Sequence, residues 1–160
     1  MAEIENLREV MGNFATGVTV VTFENADHGL TANAFSSVSL DPPLVLVCVD
    51  HDTRSYELLN SGEEDSFCVN ILSEKQQHLG EYFAGMTELE DDPFEAESTT
   101  TASTGAPIFE ECLAYVDCNV WEEVPAGDHT IYIGEVQAAD VLNEETDGLT
   151  FFRGEWGEIS

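Results

Sequence analysis

Gly29-Leu30-Thr31-Ala32-Asn33-Ala34-Phe35-Ser36-Ser37-Val38-Ser39-Leu40-Asp41-Pro42-Pro43-Leu44 is the stretch on which the reading of this chain turns. It gathers hydroxyls, one amide and small side chains, then fixes the backbone with two prolines. Small residues let a planar ligand approach the main chain, and hydroxyls and backbone N–H groups can meet its polar edge. A plain Ser/Thr-rich loop has the same composition, so the residues alone leave both readings open.

The flanks read as β-structure. Upstream, Gly17–Phe23 alternates β-branched residues and predicts a strand. Asn25–Gly29 is polar and ends in Gly, as a hairpin turn would. Pro42-Pro43 stops regular structure, and Leu44–Val49 then reads as a buried strand. Further strands are expected at Phe67–Leu72, Leu113–Trp121, Thr130–Leu142 and Leu149–Phe152.

Helical signals are short. Ile4, Leu7, Val10, Met11 and Phe14 fall at helical spacing over residues 4–14, which predicts an amphipathic N-terminal helix. Thr53–Asn60 predicts a second, closed by Ser61-Gly62. Ser73-Glu74-Lys75-Gln76 has capping-box spacing and opens a third to about Ala84, with Leu79, Tyr82 and Phe83 on one side. Residues 86–97 carry six acids and no base, and Ser98–Pro107 is small and polar, so 86–107 reads as a long surface loop. Six or seven strands that do not alternate with helices argue against a doubly wound parallel sheet and for an antiparallel barrel.

Charge sets the class of surface. The 160 residues hold 33 Asp+Glu against 4 Lys+Arg, a formal net charge of -29, and are read as a single domain, residues 1–160. Disorder is argued against by an apolar fraction of 42%, enough for a core. The alternative is adaptation to high salt, where screening removes the self-repulsion of so many carboxylates. Nucleic acid is a poor partner for such a surface, since phosphate binding needs basic patches. The start, Met1 to Val10, lacks a basic region followed by an apolar run, and Leu44–Val49 is too short to cross a bilayer. No membrane association and a cytoplasmic location are therefore expected. Cys48, Cys68, Cys112 and Cys118 form no CxxC pair and sit in apolar runs, which favours buried thiols over a metal site.

Catalytic signatures such as GxSxG, HExxH, the Walker A loop and GxGxxG are missing, and the four histidines have no metal-binding spacing. Chemistry here therefore calls for a bound cofactor or an unusual site. Thr53-Arg54-Ser55 follows a strand and opens a helix, so it reads either as a phosphate site or as a simple N-cap.

Met11-Gly-Asn-Phe-Ala-Thr-Gly-Val-Thr-Val-Val-Thr22, followed by the 29–44 stretch, resembles the flavin reductase family of FMN-binding split barrels. Phe67-Cys-Val-Asn-Ile-Leu72, Gly127-Asp-His-Thr-Ile-Tyr-Ile-Gly-Glu-Val136 and Leu149-Thr-Phe-Phe-Arg-Gly154 agree in order, and 86–107 is the loosest part. The resemblance implies a mainly β fold, an antiparallel split β-barrel of Greek-key type with a few short helices. It also implies hydride transfer from NADH or NADPH to FMN, or to FAD. A flavin-dependent monooxygenase supplied with reduced flavin is an implied partner, and a homodimer the implied assembly. An FMN-binding redox, sensing or storage module on the same fold is the alternative.

Site residues follow from the same resemblance. Thr31, Ala32, Asn33 and Ala34 would lie along the flavin and its ribityl chain. Ser36, Ser37 and Ser39 would hydrogen-bond its polar edge or ribityl hydroxyls. Thr53, Arg54 and Ser55 would hold the phosphate, and Phe83 would close over the cofactor. His129, oriented by Asp128, would lie near the nicotinamide as the catalytic residue. Gly148–Arg153 resembles the segment completing the nicotinamide side, with Arg153 as a binding residue. The chain departs from the family there, with Gly148-Leu149 where Pro-Leu is usual and Phe151 in place of Tyr.

Overall fold

A computed structural model describes residues 4–160. Residues 1–3, the first part of the segment read as lacking a targeting signal, lie outside the described residues. The elements are α1 (Leu7–Met11), β1 (Thr16–Gly17), β2 (Thr19–Thr22), β3 (Gly29–Ala32), β4 (Phe35–Leu40), β5 (Pro43–Asp50), α2 (Arg54–Ser61), β6 (Ser66–Ile71), α3 (Gln77–Phe83), α4 (Pro93–Ala96), β7 (Thr99–Thr100), β8 (Ile108–Phe109), β9 (Ala114–Ala126), β10 (His129–Val141), β11 (Gly148–Phe152) and β12 (Glu155–Ile159). A 3-10 turn, Glu74–Gln76, precedes α3. No described helix is long and apolar enough to cross a membrane.

Seven strands form one antiparallel sheet in the order β3-β2-β6-β9-β10-β5-β4, with the non-sequential neighbours expected of a Greek-key type. Its two outermost strands are consecutive in the chain, joined only by Asn33 and Ala34. Such a link spans about 10 Å at most. The sheet must therefore curl until its edges meet, giving a barrel with an unpaired seam. Ala34 marks that seam, its carbonyl accepting from Cys48 N–H (3.0 Å).

The curl is filled from within. Val47, Phe67, Val69 and Tyr132 have no exposed surface and pack with Val21, Phe23, Leu58 and Cys118. Each large apolar side chain so buried contributes about 1.5–3 kcal/mol. Gly134 is obligatory in this packing, because a Cβ there would lie 2.7 Å from both Cys118 Cβ and Phe67 Cζ.

A second sheet, β1-β11-β12, brings the two ends of the chain together through the pair Thr16↔Phe151. Trp156 then lies on α3, where a Cβ on Gly80 would meet its ring at 3.0 Å.

Several expectations are corrected. The hydroxyl-rich 29–40 stretch is two strands, β3 and β4, at the sheet edges where polar side chains stay solvated. The strand expected over Gly17–Phe23 breaks at Val18, where β1 leaves for the small sheet. The helix expected over 4–14 forms only at Leu7–Met11, and its apolar residues are exposed. Pro43 opens β5 instead of stopping structure, the strand-start position that tolerates a missing N–H. Residues 86–107 are not a free loop. They contain α4 and β7 and are pinned by Asp117, wholly buried, which accepts from Thr104 N–H and Thr104 Oγ (both 2.7 Å). Strand β12 was not foreseen at all. Cys68, Cys112 and Cys118 are buried free thiols, as expected, while Cys48 is half-buried.

Candidate functional site

Asn33 sits at the barrel seam and borders three adjoining cavities. The first, about 300 Å³, lies between residues 14–19 and the start of β4, against Phe35 and Ile71. Gly17 lines it, and a Cβ there would meet nothing within 4 Å. The second, about 170 Å³, is bounded by Val18, Thr31, Phe151 and Trp156. The third, about 260 Å³, runs past Phe14 and Phe151 to Arg8. Shared linings make these one groove, walled by apolar faces with a few polar groups, as ligand sites commonly are.

Thr16, which lines the first cavity, carries one of four buried hydroxyls without a protein partner among the described residues. A buried hydroxyl left unpaired costs about 1–3 kcal/mol, and such orphans call for an explanation. Neither the Asn33 side chain nor its backbone N–H finds a partner among the described residues. A flat ring with a polar edge fits this donor set and these apolar walls.

The sequence-predicted residues divide. Thr31 and Asn33 line the groove, with Thr31 Oγ donating to Gly80 O (2.7 Å) and so tying β3 to α3. Ala32 faces the core, and Ala34 is exposed at the seam. Ser36, Ser37 and Ser39 lie on edge strand β4, with Ser36 Oγ donating to Ser37 O (3.0 Å). They line none of the groove cavities. Phe83 sits in an aromatic cluster with Phe94 and Phe109, its ring where a Cβ of Gly29 would be. Arg153 is brought to the far end of the groove surface beside Arg8.

Helix α2 carries the phosphate candidates. Thr53 is its N-cap, Thr53 Oγ accepting from Tyr56 N–H (3.1 Å). Ser55 is wholly buried, its hydroxyl 3.0 Å from His28 Nε2. Arg54 points outward to Glu57 (3.3 Å) and Glu63 (4.0 Å). Burial, and then the Arg54 charge, push His28 below the ordinary histidine range.

The β9–β10 hairpin tip is docked on the same end, Asp128 O accepting from His51 N–H (2.9 Å). His129 Nδ1 lies 2.7 Å from Asp128 Oδ1, which leaves Nε2 as the free end of the ring. Hydrogen bonding and charge from His129 hold the Asp128 carboxyl below its usual range. In the single chain His129 is half-exposed and lines none of the groove cavities.

Sequence reasoning assigned no role to Thr16, Phe14, Arg8 or Trp156. Phe14 and Thr16 stood in the quoted 11–22 block, but nothing in their spacing announces a groove made by strands from both chain ends.

Comparison with known proteins bears on the same residues. Residues 11–160 match the flavin reductase like domain. A probable flavin reductase of Rhizobium meliloti (strain 1021) is 43% identical over 151 residues, 92% of this chain. The chain spans only 46% of that relative's length. The reductase subunit HsaB of a flavin-dependent monooxygenase from Mycobacterium tuberculosis is 36% identical over 155 residues, 95% of this chain and 80% of that one. A flavin reductase solved in its native state is 40% identical, with a TM-score of 0.88 and 99% of both chains covered.

Proposed function

The chain belongs to the flavin reductase-like family, and from that premise we propose that it catalyses hydride transfer from NADH or NADPH to FMN or FAD in the Asn33 groove. The observation that carries this reading is the groove of mostly apolar walls that meets at Asn33, in a chain whose residues 11–160 match the flavin reductase like domain.

Bound flavin supplies the hydride acceptor; the protein supplies binding, orientation and electrostatics. Thr16 Oγ and the Asn33 amide offer hydrogen bonds to the polar edge of a flat ring. Phe14, Val18 and Phe35 exclude water from its faces. Stacking two rings within about 3–3.5 Å is the main requirement, and no strong acid or base is needed. Thr53, Arg54 and Ser55, with Thr31, Ala32, Ala34 and the β4 serines, are assigned to the ribityl and phosphate side. Arg54 turns toward the phosphate in exchange for its exposed acidic partners, pairs worth little. His129, its Nδ1 fixed by Asp128, presents Nε2 to the nicotinamide.

We assign the reduced flavin to a flavin-dependent monooxygenase, as the HsaB relative's name describes for that protein. The assembly is a homodimer. Leu7, Val10, Met11 and Phe14 on the α1 segment and Leu40, 95% exposed, are apolar surface that a second copy would cover. The net charge of -29 adapts this surface to high salt. FMN and NAD(P)H are themselves anions, so cofactor affinity rises as salt screens the repulsion.

The test is turnover in molar salt with NADH or NADPH and excess FMN or FAD. Catalytic oxidation supports the reductase. Flavin uptake without turnover points to the redox, sensing or storage module, and a protein that takes up no flavin refutes both. Light scattering at the same salt checks the dimer.

A further inference from the structure

The chain has four Lys and Arg side chains, Arg8, Arg54, Lys75 and Arg153, and two of them meet at one cavity. This cavity, about 460 Å³, is lined by Arg8, Glu9, Gly12, Asn13, Arg153 and Gly154. Among the described residues no carboxylate comes within ion-pair distance of either guanidinium, although the chain holds 33 acids and Glu9 itself lines the cavity. Two guanidinium groups at one cavity, neither of them ion-paired even to the neighbouring Glu9, leave charge available to an anion.

Arg153 is held there at a conformational cost. It has φ +52 and is followed by Gly154 at φ +77, forming the two-residue turn between β11 and β12. That turn favours Asn-Gly, and a long side chain in the left-handed region is uncommon. The backbone is fixed by Arg153 N–H donating to Gly12 O (2.9 Å). The side chain is fixed by Nε donating to Asn13 Oδ1 (2.8 Å), with the guanidinium 4.7 Å from the Phe152 ring centroid. Asn13 is in turn held, its Nδ2 donating to Glu9 O (2.9 Å). The terminal nitrogens of Arg153 have no protein partner among the described residues, so a pre-aimed guanidinium is left with its fork free, the geometry that suits phosphate.

The cavity adjoins the ring groove. Arg8 and Gly12 also line the neighbouring cavity with Phe14, Asn33 and Phe151. One surface therefore runs from the slot at Asn33 to the two arginines, and Thr53, Arg54 and Ser55 of the α2 end line none of its cavities. A mononucleotide has one phosphate and is served by one such end. We propose that Arg8 and Arg153 form a subsite for the diphosphate of a dinucleotide. This rests on the flavin and pyridine nucleotide reading of the groove. The diphosphate belongs either to the pyridine nucleotide or to FAD.

Replacing Arg8→Gln together with Arg153→Asn tests this at fixed molar salt. Flavin fluorescence gives Kd for FAD against FMN, and calorimetry gives Kd for NADH against phosphate-free 1-methyl-1,4-dihydronicotinamide. The expected result is a rise of about tenfold to a hundredfold in one dinucleotide-to-comparator Kd ratio, the size expected for hydrogen bonds to a charged group. The ratio that moves identifies the source. Arg153→Asn alone should hold or raise Tm, because Asn-Gly suits the turn, while weakening the dinucleotide. Unchanged ratios in a protein that still binds both dinucleotides overturn the subsite and leave the reductase reading standing. A wild-type protein that binds neither dinucleotide overturns both. A fall in Tm that accompanies every loss of affinity assigns the pair to the fold and overturns the proposal.

Discussion

Replacing Thr16 by Val removes one hydroxyl and keeps the β-branched shape. Thr16 pairs with Phe151 in the small sheet and lines the cavity of about 300 Å³ beside Asn33. Its Oγ is buried without a partner, so the ligand-free protein bears a desolvation penalty of about 1–3 kcal/mol. Val abolishes that penalty. The free protein should therefore melt higher, by about 2–4 °C for each kcal/mol recovered. Flavin binding should move the other way. A hydrogen bond to the ring edge contributes about 0.5–1.5 kcal/mol net, which weakens Kd about 2- to 13-fold when it is lost. Thermal melts without ligand and flavin-fluorescence titrations at the same molar salt measure the two effects. Opposite signs are the expected result. A lower Tm with an unchanged Kd would refute the reasoning, because Thr16 would then serve the fold and not the ligand.

His129→Gln should slow nucleotide-dependent flavin reduction while leaving flavin Kd within about twofold, since the imidazole is assigned to the nicotinamide and not to the flavin; loss of flavin counts against that role. Gly134→Ala should cost about 1–3 kcal/mol through overpacking against Cys118 and Phe67, read as a lower Tm in thermal melts. His28 is held below its ordinary value of 6.5, by burial first and Arg54 second, so the unfolded chain binds its proton more readily. Its contribution to stability is therefore complete above that value and is lost as pH falls through the depressed folded pKa, and His28→Gln should flatten this part of the pH–stability curve. Burial pushes Cys112 up to about 11 and Cys118 up to about 12, and Cys68 higher still. At neutral pH a thiol reagent should label Cys48 first and the other three only on unfolding.

The sequence carried much of this fold where the signal is local. Helix α2 was legible because Thr53 caps it and Gly62, at φ +82, closes it. The turn before α3 was legible because Gln76 Oε1 accepts from Ser73 N–H (3.0 Å), as the capping-box spacing predicts. Residues 86–107 were misread because their anchor is a single buried carboxylate, Asp117, thirteen positions from Thr104 and flanked by apolar residues. Nothing local distinguishes that acid from the many on the surface. Strand β12 was missed because Glu155-Trp-Gly-Glu-Ile159 carries charge and glycine, and depends on the Arg153-Gly154 turn for its existence. At the site, Thr31 and Asn33 were named by the family resemblance, and both line the groove. Thr16, Arg8 and Trp156 were not legible, because they reach Asn33 only when β1 and β11 pair across most of the chain length. The β4 serines were marked by the family resemblance, and in the single chain they line none of the groove cavities.

The place of the flavin ring is the measurement that bears most directly on the whole account. A crystal structure of the protein grown in high salt with FMN should place the ring against residues 14–19 and Asn33, with Thr16 Oγ within hydrogen-bond distance, roughly 2.5–3.0 Å for an O–H donor to oxygen. A ring bound elsewhere, or a Thr16 hydroxyl still without a partner, would contradict it.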